Sequence, residues 1–158
     1  MTMTDFAKIA KGKNQVIKIT NVAVKTSVEF PAFLTNFSDS YAVTWGNEQI
    51  YGRSDPVKPY TGTGRTIQIG FDVLAANFDQ ARTNLNMFST LSKMLYPVYS
   101  EPLDGNGLSL GRTIKGPPLM RIKFVNLVQT SIGGGLLGCI EGAVLDPKRE
   151  MGFFTVED

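Results

Sequence analysis

The chain has 158 residues with sixteen basic and fourteen acidic side chains, a formal charge of +2, no histidine and one cysteine, Cys139. The missing histidines and the lone cysteine exclude Ser-His-Asp and Cys-His triads, zinc sites built on His and Cys, and any intramolecular disulfide, while the near-balanced charge argues against a protein that wraps DNA or coats an anionic membrane. A chain of this length buries roughly two-thirds of its unfolded surface, which is enough for one core without a metal or cofactor. Cys139 is expected as a small buried apolar side chain.

Residues 1–14 read as an N-terminal extension open to a partner. Met1 to Lys13 carries three lysines among short apolar pairs and never reaches the apolar run of a signal peptide or membrane span. The expectation is a soluble protein of a reducing compartment, in which the sequon Asn36-Phe37-Ser38 is fortuitous. From Val16 to Lys25 both alternating faces are largely apolar, the pattern of a strand covered on each side. Val28, Phe30, Ala32 and Leu34 continue as a second strand, and Pro31 makes it an edge or a bulged strand. Tyr41, Val43 and Trp45 mark a third, closed by Gly46-Asn47.

The stretch from Gly46 to Gly64 holds Pro56, Pro59 and little periodicity, and reads as a long loop ordered by a partner. Thr66 to Val73 alternates strictly, with Ile67, Ile69, Phe71 and Val73 on one face and Thr66, Gln68, Gly70 and Asp72 on the other. Asn77 and Gln80 then form a capping-box-like start, and the stripe Ala81, Leu85, Phe88, Leu91 and Leu95 predicts the only long helix over about 78–95, with Leu85, Phe88 and Leu91 against a sheet until Pro97 stops it. Met120, Ile122 and Phe124 begin a strand after Pro117-Pro118, and Leu136 to Leu145 reads as the last. The inferred class is mainly β with one packed helix (α+β), an antiparallel two-sheet sandwich in a single domain spanning 1–158. Such a sandwich exposes edge strands that pairing with a neighbouring subunit satisfies.

The chemical motifs are weak. Gly133 to Gly138 has the letters of a dinucleotide loop, but a glycine-rich, strand-like run follows where a helix N-terminus is needed, so it reads as a hairpin tip with close backbone approach. The carboxylates are scattered with no pair at glycosidase spacing and read as solvated charges. Trp45, Tyr51, Arg53, Asp55, Tyr60 and Arg65 suit a subunit interface, where Tyr, Trp and Arg are enriched. The rival is a small β-rich single-stranded nucleic-acid binder, but no lysine-rich stripe of the kind such a platform uses accompanies these aromatics. No catalytic site is expected.

Several ordered segments carry a resemblance. Phe37-Ser38-Asp39-Ser40-Tyr41, Trp45, Ile50-Tyr51-Gly52-Arg53-Ser54-Asp55-Pro56 and Tyr60 to Ile67 are followed by Met94-Leu95-Tyr96-Pro97-Val98-Tyr99, Gly116-Pro117-Pro118-Leu119, Gly134 to Gly138 and Met151-Gly152-Phe153-Phe154. Over roughly residues 28–154 the chain resembles the baseplate tail-tube initiators of contractile-tailed bacteriophages. The resemblance implies a tail-tube fold of two packed sheets and a helix, with six copies closing their sheets into one barrel around a channel for DNA. It also implies baseplate, tail-tube and tape measure proteins as neighbours, DNA only as passing cargo, no membrane, and a place in the virion tail after synthesis in the bacterial cytoplasm. Tail tube protein and tail terminator are the related roles. Relatives of this kind continue past the Gly-Phe-Phe segment into another strand, whereas this chain stops at Asp158. Since DNA must pass without sticking, Thr66, Gln68 and Asp72 are the expected lumen-face residues.

Overall fold

The structure, a computed structural model, describes residues 10, 12, 15–99 and 113–148. Most of the expected N-terminal extension and the Met151 to Phe154 segment lie outside the described residues. In chain order the elements are β1 (Ile17–Asn21), β2 (Ser27–Phe30), β3 (Phe33–Trp45), β4 (Tyr60–Asp72), α1 (Phe78–Met94), β5 (Val98–Tyr99), β6 (Ile114–Gly116), β7 (Met120–Phe124) and β8 (Leu136–Gly138). The described chain is thus mainly β with one long helix, and all its strand pairs are antiparallel. It divides into two compact units: Phe33–Asp72, and the chain on either side of it.

The larger unit is organised by a four-stranded sheet of order β2-β1-β7-β8, with β5 and β6 pairing separately. Register places Ile17 opposite Phe30 and Phe124, and Ile19 opposite Val28 and Ile122, so one face collects apolar side chains. Ile17, Ile19, Val28, Phe30, Met120 and Phe124 are buried there. The other face carries Lys18, Arg121 and Lys123, and Lys18 meets Glu29 across the strands at 2.8 Å. That pair is exposed and adds little stability. β2 is an edge, and it ends at Phe30 because Pro31 follows without an N–H; the expected run from Val28 to Leu34 is therefore two strands.

β1 stops at Asn21, short of the expected Lys25, because the Asn21 side chain turns the chain. Its Oδ1 accepts from the backbone N–H groups of Ala23 at 2.9 Å and Val24 at 3.0 Å, and Lys25 takes a positive φ of 58° to complete the reversal. Val22 and Val24 are consequently exposed turn residues and not strand residues. The same side chain, 1 % exposed, donates from Nδ2 to the Met94 carbonyl at 3.1 Å and so satisfies one of the orphan acceptors at the end of α1.

Helix α1 starts where the sequence places it. Asn77 Oδ1 accepts from the Gln80 N–H at 2.9 Å, and Gln80 Oε1 reaches back to the N–H of Ala76, one residue earlier than a capping box uses. The helix packs against β2, with Leu91 and Met94 buried and Phe88 half-buried. Leu85, expected in the buried stripe, is 59 % exposed. The buried face shifts toward Met87, Leu91 and Met94 because the helix end is pinned at Asn21, and an Asn84 Nδ2 bond to the Leu74 carbonyl at 3.2 Å turns the first turns so that Leu85 points outward.

Two further expectations change. Cys139 is exposed, lying just past β8. The last strand is only Leu136–Gly138 rather than Leu136 to Leu145, since its partner β7 begins at Met120 behind Pro117-Pro118 and pairing runs out at Gly138. The glycine run before it is a hairpin tip as expected: Gly133 has φ 78°, Gly134 N–H donates to Thr130 Oγ1 at 2.9 Å, and a Cβ on Gly135 would lie 3.2 Å from the Ile122 carbonyl oxygen. Among the described residues no helix follows it.

Replacing Asn21 by Ala removes both its turn bonds and the partner of a buried carbonyl, and the loss of stability expected is about 1–3 kcal/mol. Leu91→Ala is expected to cost about 2–5 kcal/mol, whereas Leu85→Ala stays within about 0.5 kcal/mol. Urea unfolding of the three variants checks both statements, and equal effects at Leu85 and Leu91 would contradict the helix orientation.

Candidate functional site

The second unit, Phe33–Asp72, is a two-stranded ribbon of β3 and β4, each 13 residues long. At the usual rise per residue that is about 43 Å. The ribbon exists because both strands alternate strictly. From Asn36 to Trp45 a small or polar residue follows every bulkier one, and β4 answers it from Gly62 to Phe71. Pairs such as Ser38 with Gln68, Ser40 with Thr66, and Tyr41 with Arg65 set the register, which shifts at Thr35 in β3 and at Thr61 in β4.

The expected featureless loop from Gly46 to Gly64 is shorter and more ordered. β4 already begins at Tyr60, Gly46 N–H donates to the Pro59 carbonyl at 2.8 Å, and Glu48 and Val57 exchange two backbone bonds of 2.9 Å. At the tip, Arg53 N–H donates to the Ile50 carbonyl at 3.2 Å, with Gly52 at φ 89° in the position of the turn that needs a positive φ.

All six expected interface residues belong to this ribbon or its tip. Trp45 and Tyr60 pack edge to face with ring centroids 5.4 Å apart, both more than half exposed. Arg65 sits one strand pair away from Asp39 and grips it with two bonds, Nε to Oδ1 at 2.9 Å and Nη2 to Oδ2 at 2.7 Å. Its guanidinium also stacks 5.2 Å from the centre of the Tyr41 ring, whose hydroxyl donates to Asp39 at 3.3 Å. Tyr51, Arg53 and Asp55 are exposed at the tip, and Tyr51 is fully so. Arg53 and Asp55 are not brought together with the Trp45–Tyr60 pair by any side-chain bond among the described residues.

Of the expected lumen residues, Thr66 and Gln68 are exposed on one face of β4, and Asp72 is half-buried at the base of the same strand. Sequence reading missed the β3 residues that share their face, Asn36, Ser38, Ser40 and Thr44, of which Ser40 pairs with Thr66 and Ser38 with Gln68, and it missed Asp39 as the partner of Arg65. The signal was present in the alternation of β3, where small polar residues occupy every second position.

The ribbon's electrostatics do not suit nucleic-acid stacking. Arg53, Lys58 and Arg65 are outnumbered by Asp39, Glu48, Asp55 and Asp72, and Arg65 is already engaged. The hydrogen bond from Arg65, aided by its charge and by Tyr41, holds the Asp39 carboxyl below its ordinary value against a smaller opposing effect of desolvation, and the same bond raises Arg65. No side chain of the ribbon's strands is fully buried, and no helix among the described residues is long and apolar enough to cross a membrane.

Because the folded Asp39 titrates lower than the unfolded one, the pair contributes stability that is present above the ordinary value of 3.8 and is lost as pH falls through the lowered value. A carboxyl-carbon NMR titration is expected to show Asp39 ionised below that ordinary value, and Arg65→Gln is expected to return it upward. An unchanged Asp39 titration in Arg65→Gln would contradict the pairing. No protein-family model matches the chain, and no curated protein or solved structure matches it.

Proposed function

We propose that this protein is a structural, non-catalytic subunit that works by joining copies of itself through the β3–β4 ribbon. The observation that carries the reading is the ribbon's incompleteness. It is a two-stranded sheet with 13 residues in each strand and no third strand on either edge among the described residues. An isolated hairpin of this kind is marginal in water, and beyond the register shifts at Thr35 and Thr61 the strands carry few of the devices that usually guard an exposed edge. Neither contains proline or lysine, and the only basic residue, Arg65, is bound to Asp39. Pairing β3 of one copy with β4 of the next satisfies both edges at once. Repeated head to tail, that pairing either closes into a ring or continues as a filament.

Together with the resemblance of residues 28–154, this favours a baseplate tail-tube initiator of a contractile-tailed phage. In this reading the whole chain acts as one tail-tube-like domain, six copies close a barrel on which the tail tube assembles, and DNA passes through it. Tail tube protein or tail terminator is the alternative role of the same assembly. Trp45, Tyr51, Arg53, Asp55 and Tyr60 then reach neighbouring subunits or adjacent baseplate, tube or tape measure proteins. The location that follows is the virion tail, after synthesis in the host bacterial cytoplasm.

In assembled particles the protein is expected on the tube axis in a ring of mass six times 17.3 kDa, with each interface above about 2,000 Å² in total and main-chain bonds between copies. Hydrogen exchange supplies the second check: amides of 33–45 and 60–72 gain protection on assembly, while those of β1 and β7 are protected throughout. A ribbon equally protected in monomer and assembly, or a ring without six-fold symmetry, would sink the proposal.

A further inference from the structure

Two features of the larger unit are incomplete in the single chain, and they are complementary in charge. We infer that the basic outer face of the four-stranded sheet is a docking surface for the acidic segment 139–146 of a second copy, with Glu141 and Asp146 meeting Arg121 and Lys123. This inference rests on the proposed association of copies and adds a contact made by the larger unit, separate from the ribbon.

On the face, cross-strand register sets Lys18 directly opposite Lys123 and Thr20 opposite Arg121, on the side of the sheet away from the core. Like charges directly opposite one another weaken strand pairing. The only carboxylate in the four strands is Glu29, and Lys18 meets it at 2.8 Å. Lys123 Nζ donates to the neutral Gly133 carbonyl at 2.7 Å, which leaves its charge unbalanced. Arg121 is exposed, and among the described residues its side chain has no hydrogen bond or ion pair. A guanidinium in that state offers a fork of donors that fits a carboxylate.

Past β8 the chain keeps the residue types of a strand and loses its partner. Among the described residues no hydrogen bond or ion pair involves residues 139–147. Ile140 is half-buried and the rest are exposed, Val144 at 92 %. The charges between Cys139 and Pro147 are Glu141 and Asp146, with no cation among them. Since these acids do not pair with Arg121 or Lys123 of their own chain, the match is made between chains. Leu137, 58 % exposed and opposite Arg121 in register, adds an apolar contact for Val144 and Leu145 beside the cations.

The numbers favour a protein segment over a duplex. Three cations, one of them already paired, are too few to hold DNA by counterion release, whereas two carboxylates match the two unbalanced cations. A segment of one copy on the face of the next is a heterologous contact, so it repeats in the same head-to-tail sense as the ribbon pairing.

Charge reversal in the full-length chain tests the contact, read as the concentration needed for association in sedimentation. The face variant is Arg121→Glu, and the segment variant is Glu141→Arg with Asp146→Arg. All three positions are exposed, and urea unfolding checks that each variant keeps its fold. Each variant alone is expected to weaken association about tenfold, because like charges then face each other. In the segment-variant background the sign reverses, and Arg121→Glu strengthens association. A segment variant that associates like the wild type, or an Arg121→Glu effect that is absent or has the same sign in both backgrounds, overturns the inference. If amides of 33–45 and 60–72 still gain protection on assembly, the ribbon reading stands without it. A wild-type chain that never associates overturns both. Retention of a short DNA duplex that Arg121→Glu abolishes assigns the face to phosphates and also overturns the inference.

Discussion

The Asn21 side chain is where the larger unit is tied together. One amide serves two backbone N–H groups of the β1–β2 turn and the last buried carbonyl of α1, and it does so at 1 % exposure. An amide in such a place is stable only when its bonds are made, since an unmet buried donor or acceptor is expensive. Opposite it in β7 stands Met120, which is wholly buried. The strand, the turn and the helix end are therefore fixed by the same few atoms, and from that point the positions of Leu91 and Met94 on the sheet follow. The outward swing of Leu85 follows as well, because a helix pinned at its C-terminal end has little freedom to choose its face.

The ribbon is built on the opposite principle. Its order comes from cross-strand pairs: the forked Arg65–Asp39 bond with Tyr41 beneath it, and the Trp45–Tyr60 contact near the tip. Such pairs fix register and each contributes a fraction of a kcal/mol to about one. They do not replace a core. A segment that has register without burial is suited to be completed by something else, and in the proposed assembly strands of a neighbouring copy are the completing element. The division of labour is physical: one unit supplies a core, and the other supplies a surface whose groups the proposed association would satisfy.

The same contrast bears on the proposed role in passing DNA. A channel subunit has to present chemistry that binds its own copies strongly and its cargo hardly at all. Backbone edges do the first without regard to side chains, which leaves the side chains of one face free to be small and uncharged. The aromatic side chains, which would otherwise stack bases, lie on the other face with the one arginine already neutralised by Asp39.

The sequence by itself determined the local elements. The strict alternation of Thr66 to Phe71, the Asn77 cap with Gln80, the stop at Pro97 and the hairpin tip at Gly133 are all consequences of backbone chemistry within a few residues, and each appears where the pattern places it. The same alternation in β3 places Asn36, Ser38, Ser40 and Thr44 on one face and Tyr41, Val43 and Trp45 on the other. Tertiary structure decided what depends on distant partners. Asn21 looks like one more strand residue until Met94, 73 positions away, supplies an acceptor. β8 ends at Gly138 because β7 begins after two prolines, a fact invisible from within Leu136 to Leu145. Asp39 and Arg65, 26 residues apart, become a forked ion pair only when the ribbon's register is set, and which residues share a face with Thr66 is fixed by the same register. Local periodicity encodes which side chains lie together along one strand; only pairing across the chain encodes which of them meet.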